Sequence, residues 1–377
     1  MKFPKSLAVL AAVSLVSFTV AVAQDATPVP GSGMVTGAME GEATSLTGAG
    51  ATFPAVLYTT WFSDYAALTG VEINYQPIGS GGGIKGITDQ TVDFGASDGA
   101  MTDEQLETAK ATCGGNILHV ATALGGIAVT YNIPELVDAN VPLKFTPDTL
   151  AGIFLGDIVS WKDEKLVADN PQLAEIDQPI SVVHRSDGSG TTNIFTSYLA
   201  AVNETWATNV GAANSVKWPT GIGQKGNAGI AGAIAGVPYA LGYVELAYAE
   251  QNGLPVSEIQ NKAGTFLAPG VESVSNAAAG VELPDDMRVK IVNGEGENTY
   301  PIAGFTWILV CENQTDAAKA TALTRMLWWA THDGQSYNAT LGYAPLPEAA
   351  IKADEAQIEK IMIDGKMALP EGIMDGM

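Results

Sequence analysis

Three glycine-rich junctions in the chain carry residues suited to holding an anion. In His184-Arg185-Ser186-Asp187-Gly188-Ser189-Gly190-Thr191, Arg185 offers a planar fork of donors that matches two oxygens at once. Ser189 and Thr191 add hydroxyls, Gly190 lets the backbone come close, and Asp187 is placed to steady Arg185. A second junction, Gly48-Ala49-Gly50-Ala51-Thr52-Phe53-Pro54, leads into a helix. There the hydroxyl of Thr52 and the amides of Thr52 and Phe53 can meet an anion, because the first N–H groups of a helix lack partners and sit at its positive end. The third, Ile78-Gly79-Ser80-Gly81-Gly82-Gly83, again joins strand to helix and offers Ser80. A plainer role is open at two of these places: Thr52 and Ser80 could each cap the helix that follows.

Asp98, in Phe94-Gly95-Ala96-Ser97-Asp98, discriminates among anions. A carboxylate repels an anion unless the anion brings a proton to share. Phosphate at neutral pH carries one and sulfate does not, and a site built around a ligand proton can reject an analogue lacking it by ~10⁴–10⁵-fold. A helix cap or a surface ion pair is the competing role for Asp98.

Two other chemistries fit less well. Gly81-x-Gly83-x-x-Gly86 satisfies the dinucleotide fingerprint, but that site needs an acidic residue about 20 positions on, at the end of the next strand. Here that strand ends earlier, at Asp98, and Glu107 falls inside an expected helix. A secreted phosphatase or other phosphoryl-transfer enzyme would use Ser189 or Thr191 as nucleophile. Asp187 stands where the nucleophile elbow needs glycine, and His184 lies on the opposite strand face from Arg185.

The elements that must position these loops follow from periodicity. Leu57, Trp61, Tyr65 and Leu68 mark one face of a helix from Pro54 to Leu68 that Gly70 ends. Strands are expected at Val71–Tyr75, Val92–Ala96, Ile180–His184 and Phe305–Val310, and helices from Thr102, from Thr146-Pro147, at Thr191–Val202 and at Asp316–Thr331. Thr102 with Gln105 forms a capping box. The β-rich run Ile117–Asn132 is interrupted by Gly125-Gly126, where the chain crosses into a second lobe. The alternation of strands and helices predicts an α/β fold.

Met1, Lys2 and Lys5 precede an uncharged apolar run from Leu7 to Val22 that ends in Ala21-Val22-Ala23. This is the pattern of a secretory signal at 1–23, cleaved after Ala23, and it directs the protein to the periplasm or another extracytoplasmic space. Residues 24–45, rich in Gly, Ala, Thr and acid, read as a disordered tether. A net charge of −23 argues against a nucleic-acid partner, which needs a basic track. It does not exclude a small anion held locally, because distant charge is screened within about 8–10 Å. Cys113 and Cys311 allow a single bridge whose formation the sequence leaves open. With His119, His184 and His332 they show no clustered metal-ligand spacing, so neither metal nor cofactor is expected.

At these loops the chain resembles the phosphate-specific substrate-binding proteins of bacterial phosphate importers. The likeness runs through Thr47-Gly48-Ala49-Gly50-Ala51-Thr52-Phe53-Pro54-Ala55, Gly79-Ser80-Gly81-Gly82, Asp93-Phe94-Gly95-Ala96-Ser97-Asp98 and Arg185-Ser186-Asp187-Gly188-Ser189-Gly190-Thr191. It continues through Val216-Lys217-Trp218-Pro219, Gly226-Asn227-Ala228-Gly229-Ile230, Leu241-Gly242-Tyr243-Val244-Glu245 and Tyr343-Ala344-Pro345-Leu346-Pro347. The resemblance implies a type II periplasmic-binding-protein fold, with two α/β lobes joined by a hinge and the ligand in the cleft. The order of elements along the chain places the first lobe at 46–122 and 301–377 and the second at 123–300. The resemblance further implies a monomeric, non-enzymatic carrier that binds inorganic phosphate and hands it to the membrane permease subunits of an ABC importer. The ligand set it implies is Thr52, Phe53, Ser80, Asp98, Arg185, Ser189, Gly190 and Thr191, with Asp187 behind Arg185. Arsenate, another protonated oxyanion, would satisfy the same set.

Overall fold

The strand Ile117–Asn132 is sixteen residues long and buried almost throughout. It is too long for one sheet face, and it changes partners part-way. In a computed structural model, which describes residues 35–136 and 141–374, it lies near the middle of an eight-stranded sheet. In chain order these strands are β1 (Ser45–Gly50), β2 (Glu72–Gln76), β3 (Phe94–Ser97), β4 (Ile117–Asn132), β5 (Ser181–Arg185), β6 (Ile222–Gln224), β7 (Ala240–Glu245) and β8 (Ala303–Cys311). Their order across the sheet is β2-β1-β3-β8-β4-β7-β5-β6.

Up to Gly126, β4 pairs antiparallel with β8; from Ile127 it pairs antiparallel with β7. The partner therefore changes at the glycine pair where the sequence places the crossing. On one side β1, β2 and β3 run parallel, and on the other β5 runs parallel to both β6 and β7. Helices follow the parallel strands: α1 (Ala55–Thr69) after β1, α2 (Ser80–Thr88) after β2, α3 (Asp103–Cys113) after β3, α4 (Gly190–Val202) after β5 and α5 (Gly226–Gly236) after β6. This is the expected α/β fold. A long helix, α6 (Ala317–Thr331), follows β8.

Local chemistry explains several boundaries. Gly70 closes α1 in the left-handed region at φ 76°, which glycine enters without a Cβ penalty. Thr102 and Gln105 make both bonds of the expected capping box on α3. Asp316 caps α6 by accepting from the Lys319 amide. Cys113, at the end of α3, is disulfide-bonded to Cys311, at the end of β8, which settles the open question of their pairing.

The expected tether needs correction over its last part. From residue 35 the chain is packed: Val35 is buried in the main core. Glu42 forms a buried ion pair with Arg325 of α6, whose guanidinium also donates to the Gly37 carbonyl oxygen. The Ala43 amide donates to the Ala318 carbonyl oxygen at 2.9 Å. Composition misleads here because one carboxylate and one valine, each with a distant partner, are enough to hold a glycine-rich segment. The expected signal at 1–23 and the tether residues before 35 lie outside the described residues. No helix among the described residues is long and apolar enough to cross a membrane.

Candidate anion-binding site

Loops after β1, β2, β3 and β5 converge where the carboxyl ends of parallel strands meet, the usual ligand position in such sheets. The sequence-predicted residues Thr52, Phe53, Ser80, Asp98, Arg185, Ser189, Gly190 and Thr191 are all brought to this place and buried.

Arg185, at the end of β5, is only 3% exposed. Its Nε donates to Asp187 Oδ1 at 2.8 Å and its Nη2 to Asp187 Oδ2 at 2.6 Å. A two-point grip of this kind fixes the plane of the guanidinium. The remaining nitrogen, Nη1, reaches Thr191 Oγ1 at 3.4 Å. Asp187 also accepts from the Gly226 amide at 3.1 Å. Burial pushes its carboxyl up, but the bonds from Arg185 and the Arg185 charge outweigh it and hold the pKa below the usual range.

Ser80 is the first residue of α2, and its hydroxyl does not cap that helix. Its Oγ accepts from the Asp98 amide at 3.3 Å and from the Gly190 amide at 2.9 Å. It can donate its own proton to Asp98 Oδ2 at 3.4 Å. Thr52 likewise does not cap α1: the helix has no side-chain cap bond, and Thr52 Oγ1 instead accepts from Asn227. The plain capping role does hold for Ser189, whose Oγ accepts from the Thr192 amide at 3.0 Å at the start of α4.

Asp98 is 3% exposed. Thr306, on β8, donates to its Oδ1 at 2.8 Å. Burial raises the Asp98 pKa to about 7, against opposition from the Thr306 bond, the Arg185 charge, the Ser80 bond and the Thr191 amide. The carboxyl thus sits at the balance point between holding and releasing a proton near neutrality. Gly190 allows this approach: an added Cβ there would lie 2.5 Å from the Asp98 backbone nitrogen. A cleft of about 800 Å³, bordered by Asp98, Asn193, Asn214, Arg288 and Trp307, opens beside the carboxyl.

Contacts between loops surround this centre, and two of the three join the two halves of the sheet. The Gly81 amide donates to the Gly188 carbonyl oxygen at 2.9 Å. Tyr248 Oη donates to the Thr52 carbonyl oxygen and Tyr343 Oη to that of Phe53, both at 2.7 Å. The Phe53 ring packs so tightly on β4 that a Cβ at Gly125 would lie 2.3 Å from it. This backbone is therefore held by the Phe53 side chain and by tyrosines at its carbonyls.

Asp187 stands where a nucleophile elbow needs glycine, and Ser189 Oγ accepts a bond as a helix cap. His184 stacks on Trp218 with ring centroids 4.8 Å apart, and its Nδ1 lies 3.0 Å from its neighbour's carbonyl oxygen. Among the described residues no group of three His, Cys, Asp or Glu side chains could hold a metal ion.

Known proteins resemble the chain along most of its length. Residues 37–324 match the model of the PBP superfamily domain. The phosphate-binding protein PstS of Pasteurella multocida is 40% identical over 322 residues, covering 85% of this chain and 91% of that protein. The chain belongs to the PstS family of phosphate-binding proteins. The PstS of Methanocaldococcus jannaschii is 37% identical over 325 residues, 80% of this chain and 82% of its own. Among solved structures, a high affinity periplasmic phosphate-binding protein (PfluDING) bound with phosphate has a TM-score of 0.71. It is 21% identical, with 86% of this chain and 96% of that one covered. A phosphate-binding protein from Stenotrophomonas maltophilia gives 0.64 at 19% identity, covering 86% and 96%. At such identities these two speak for the fold.

Sequence reasoning about the site missed Thr306 and Asn227. Thr306 is the lone hydroxyl in the apolar run Phe305-Thr306-Trp307-Ile308. A polar residue inside a strand buried on both faces must find a partner, and that was its available signal. Asn227 carried a weaker one, its place just after Gly226 at the start of a helix.

Proposed function

We propose that this protein captures inorganic phosphate and delivers it to the permease of an ABC importer, acting as a binding protein and not as an enzyme. The observation that carries the reading is Asp98: a buried carboxyl poised near pH 7 beside a guanidinium that Asp187 holds in plane. Arg185, the hydroxyls of Thr52, Ser80 and Thr191 and the helix-start amides near Phe53 and Gly190 supply donors to an oxyanion. Asp98 supplies the one acceptor. Hydrogen phosphate has a proton to give it; sulfate has none and meets repulsion wherever Asp98 is ionised. Each bond to a charged group contributes about 1.5–3 kcal/mol, while micromolar affinity needs about 8 kcal/mol. The set therefore leaves a margin for ordering the loops. Arsenate meets the same requirement for a shared proton.

The carrier role fits what surrounds Ser189, whose oxygen is occupied as a helix cap. We assign residues 46–122 and 301–377 to one lobe and 123–300 to the other, closing over the ligand about the β4 crossing. We further propose export by the 1–23 signal with cleavage after Ala23, and function as a monomer. Titration calorimetry on phosphate-stripped protein tests the reading. Tight one-to-one binding of phosphate with little or none of sulfate is expected, and equal affinity for the two would refute it.

A further inference from the structure

Asn227 is the second residue of α5 and is completely buried. Its Oδ1 accepts from the Glu245 amide at 3.3 Å. That bond fixes which way the side-chain amide faces, and it turns the NH₂ group toward two hydroxyls. Nδ2 donates to Thr52 Oγ1 at 3.1 Å and to Thr191 Oγ1 at 3.2 Å. The Asn227 backbone amide adds a second bond to Thr52 Oγ1 at 3.3 Å.

A hydroxyl has two acceptor lone pairs and one proton. Thr52 Oγ1 receives both of its bonds from Asn227. Thr191 Oγ1 receives one from Asn227 and one from Arg185 Nη1. With both lone pairs engaged, each oxygen can only donate. The amide NH₂ has no lone pair to take those protons, so they remain for an acceptor in the site. Ser80 likewise has both acceptor positions filled, by the amides of Asp98 and Gly190, but its proton also has Asp98 Oδ2 within reach at 3.4 Å.

We propose that Asn227 is a positioning residue that locks the hydroxyls of Thr52 and Thr191 as donors to the bound anion. The two threonines come from opposite halves of the sheet, so a single NH₂ group sets the proton direction on both sides of the ligand. The inference rests on the phosphate-binding reading, and it adds the reason these hydroxyls favour a fully accepting oxygen surface over one that presents more protons.

A double-mutant cycle in phosphate affinity tests it, read by calorimetry up to millimolar inorganic phosphate. Asn227→Ala in the otherwise wild-type chain is expected to weaken binding by about tenfold or more. In a Thr52→Val/Thr191→Val background the same change should cost less than about twofold, because the hydroxyls through which it acts are gone. A purely structural asparagine would cost the same in both backgrounds, and that result overturns the proposal, as does a loss below about twofold in the wild-type background. Should Asn227→Ala not fold, Asn227→Ser, too short to reach both threonines, replaces it in the same cycle. Failure of the unmutated protein to bind phosphate would instead overturn the functional reading itself.

Discussion

Thr306 donates a hydrogen bond to Asp98 across the pairing of β8 with β3, at 2.8 Å and fully buried. The bond favours the charged carboxylate, opposing the burial that drives its pKa to about 7. A strand from the C-terminal part of the chain therefore tunes an acceptor set more than 200 positions earlier. Thr306→Val should raise the Asp98 pKa further and weaken phosphate binding at pH 8 by about tenfold, since bonds to charged groups contribute about 1.5–3 kcal/mol. Calorimetry at pH 8 checks this, with no change as the contrary result.

Sulfate should be bound in a proton-dependent way. Asp98 must hold a proton for a fully deprotonated dianion to approach. Below about pH 7 the free protein already has that proton, so sulfate affinity should be nearly flat there. Above it, each complex must take up one proton, and affinity should fall about tenfold per pH unit. Sulfate titrations between pH 5 and 9 measure the slope, and a flat profile throughout would remove Asp98 from the discrimination.

Asp98 should also cost the ligand-free protein stability. Its folded pKa is raised, so between about pH 4 and 7 the native state keeps a proton that the unfolded state has released. Stability from this group is greatest below the unfolded value and falls as pH rises through that window. The loss is on the order of 4 kcal/mol by pH 8. Asp98→Asn should remove this slope, leaving the stripped variant more stable than wild type at pH 8 while its sulfate rejection fails. Denaturant unfolding of both proteins at pH 4 and pH 8 gives the comparison.

The packed segment after Val35 gives a test far from the site. Glu42→Ala would leave the buried guanidinium of Arg325 without its carboxylate. Breaking a buried pair from one side costs about 3–5 kcal/mol. The expected result is a clear loss in unfolding free energy with phosphate affinity almost unchanged. A cost below about 1 kcal/mol would show that the segment contributes little to holding the body together.

Much of this site was legible because its chemistry is local. Arg185 and Asp187 are two residues apart, and the glycine-rich junctions each lie between a strand and a helix. The crossing at Gly125-Gly126 was legible because glycine interrupts an otherwise β-branched and apolar run. What the sequence hid depends on partners far along the chain. Thr52 looks like a cap until Asn227, 175 residues later, takes its oxygen. Thr306 and Arg325 likewise acquire meaning only from Asp98 and Glu42. Burial on both faces of β8 also removes the alternation that would have set Thr306 apart from its neighbours.

The insertion of β8 between β3 and β4 has a consequence for biogenesis. The half of the sheet that begins with Ser45 cannot be completed until residues beyond 303 exist, since its centre is still missing. A growing chain can assemble β5, β6 and β7 around the second part of β4 while β1, β2 and β3 wait for their neighbour. The Cys113–Cys311 bridge can form only after that late arrival. Asp98 gains Thr306 at the same moment, so the ability to tell one oxyanion from another is among the last properties a nascent molecule acquires.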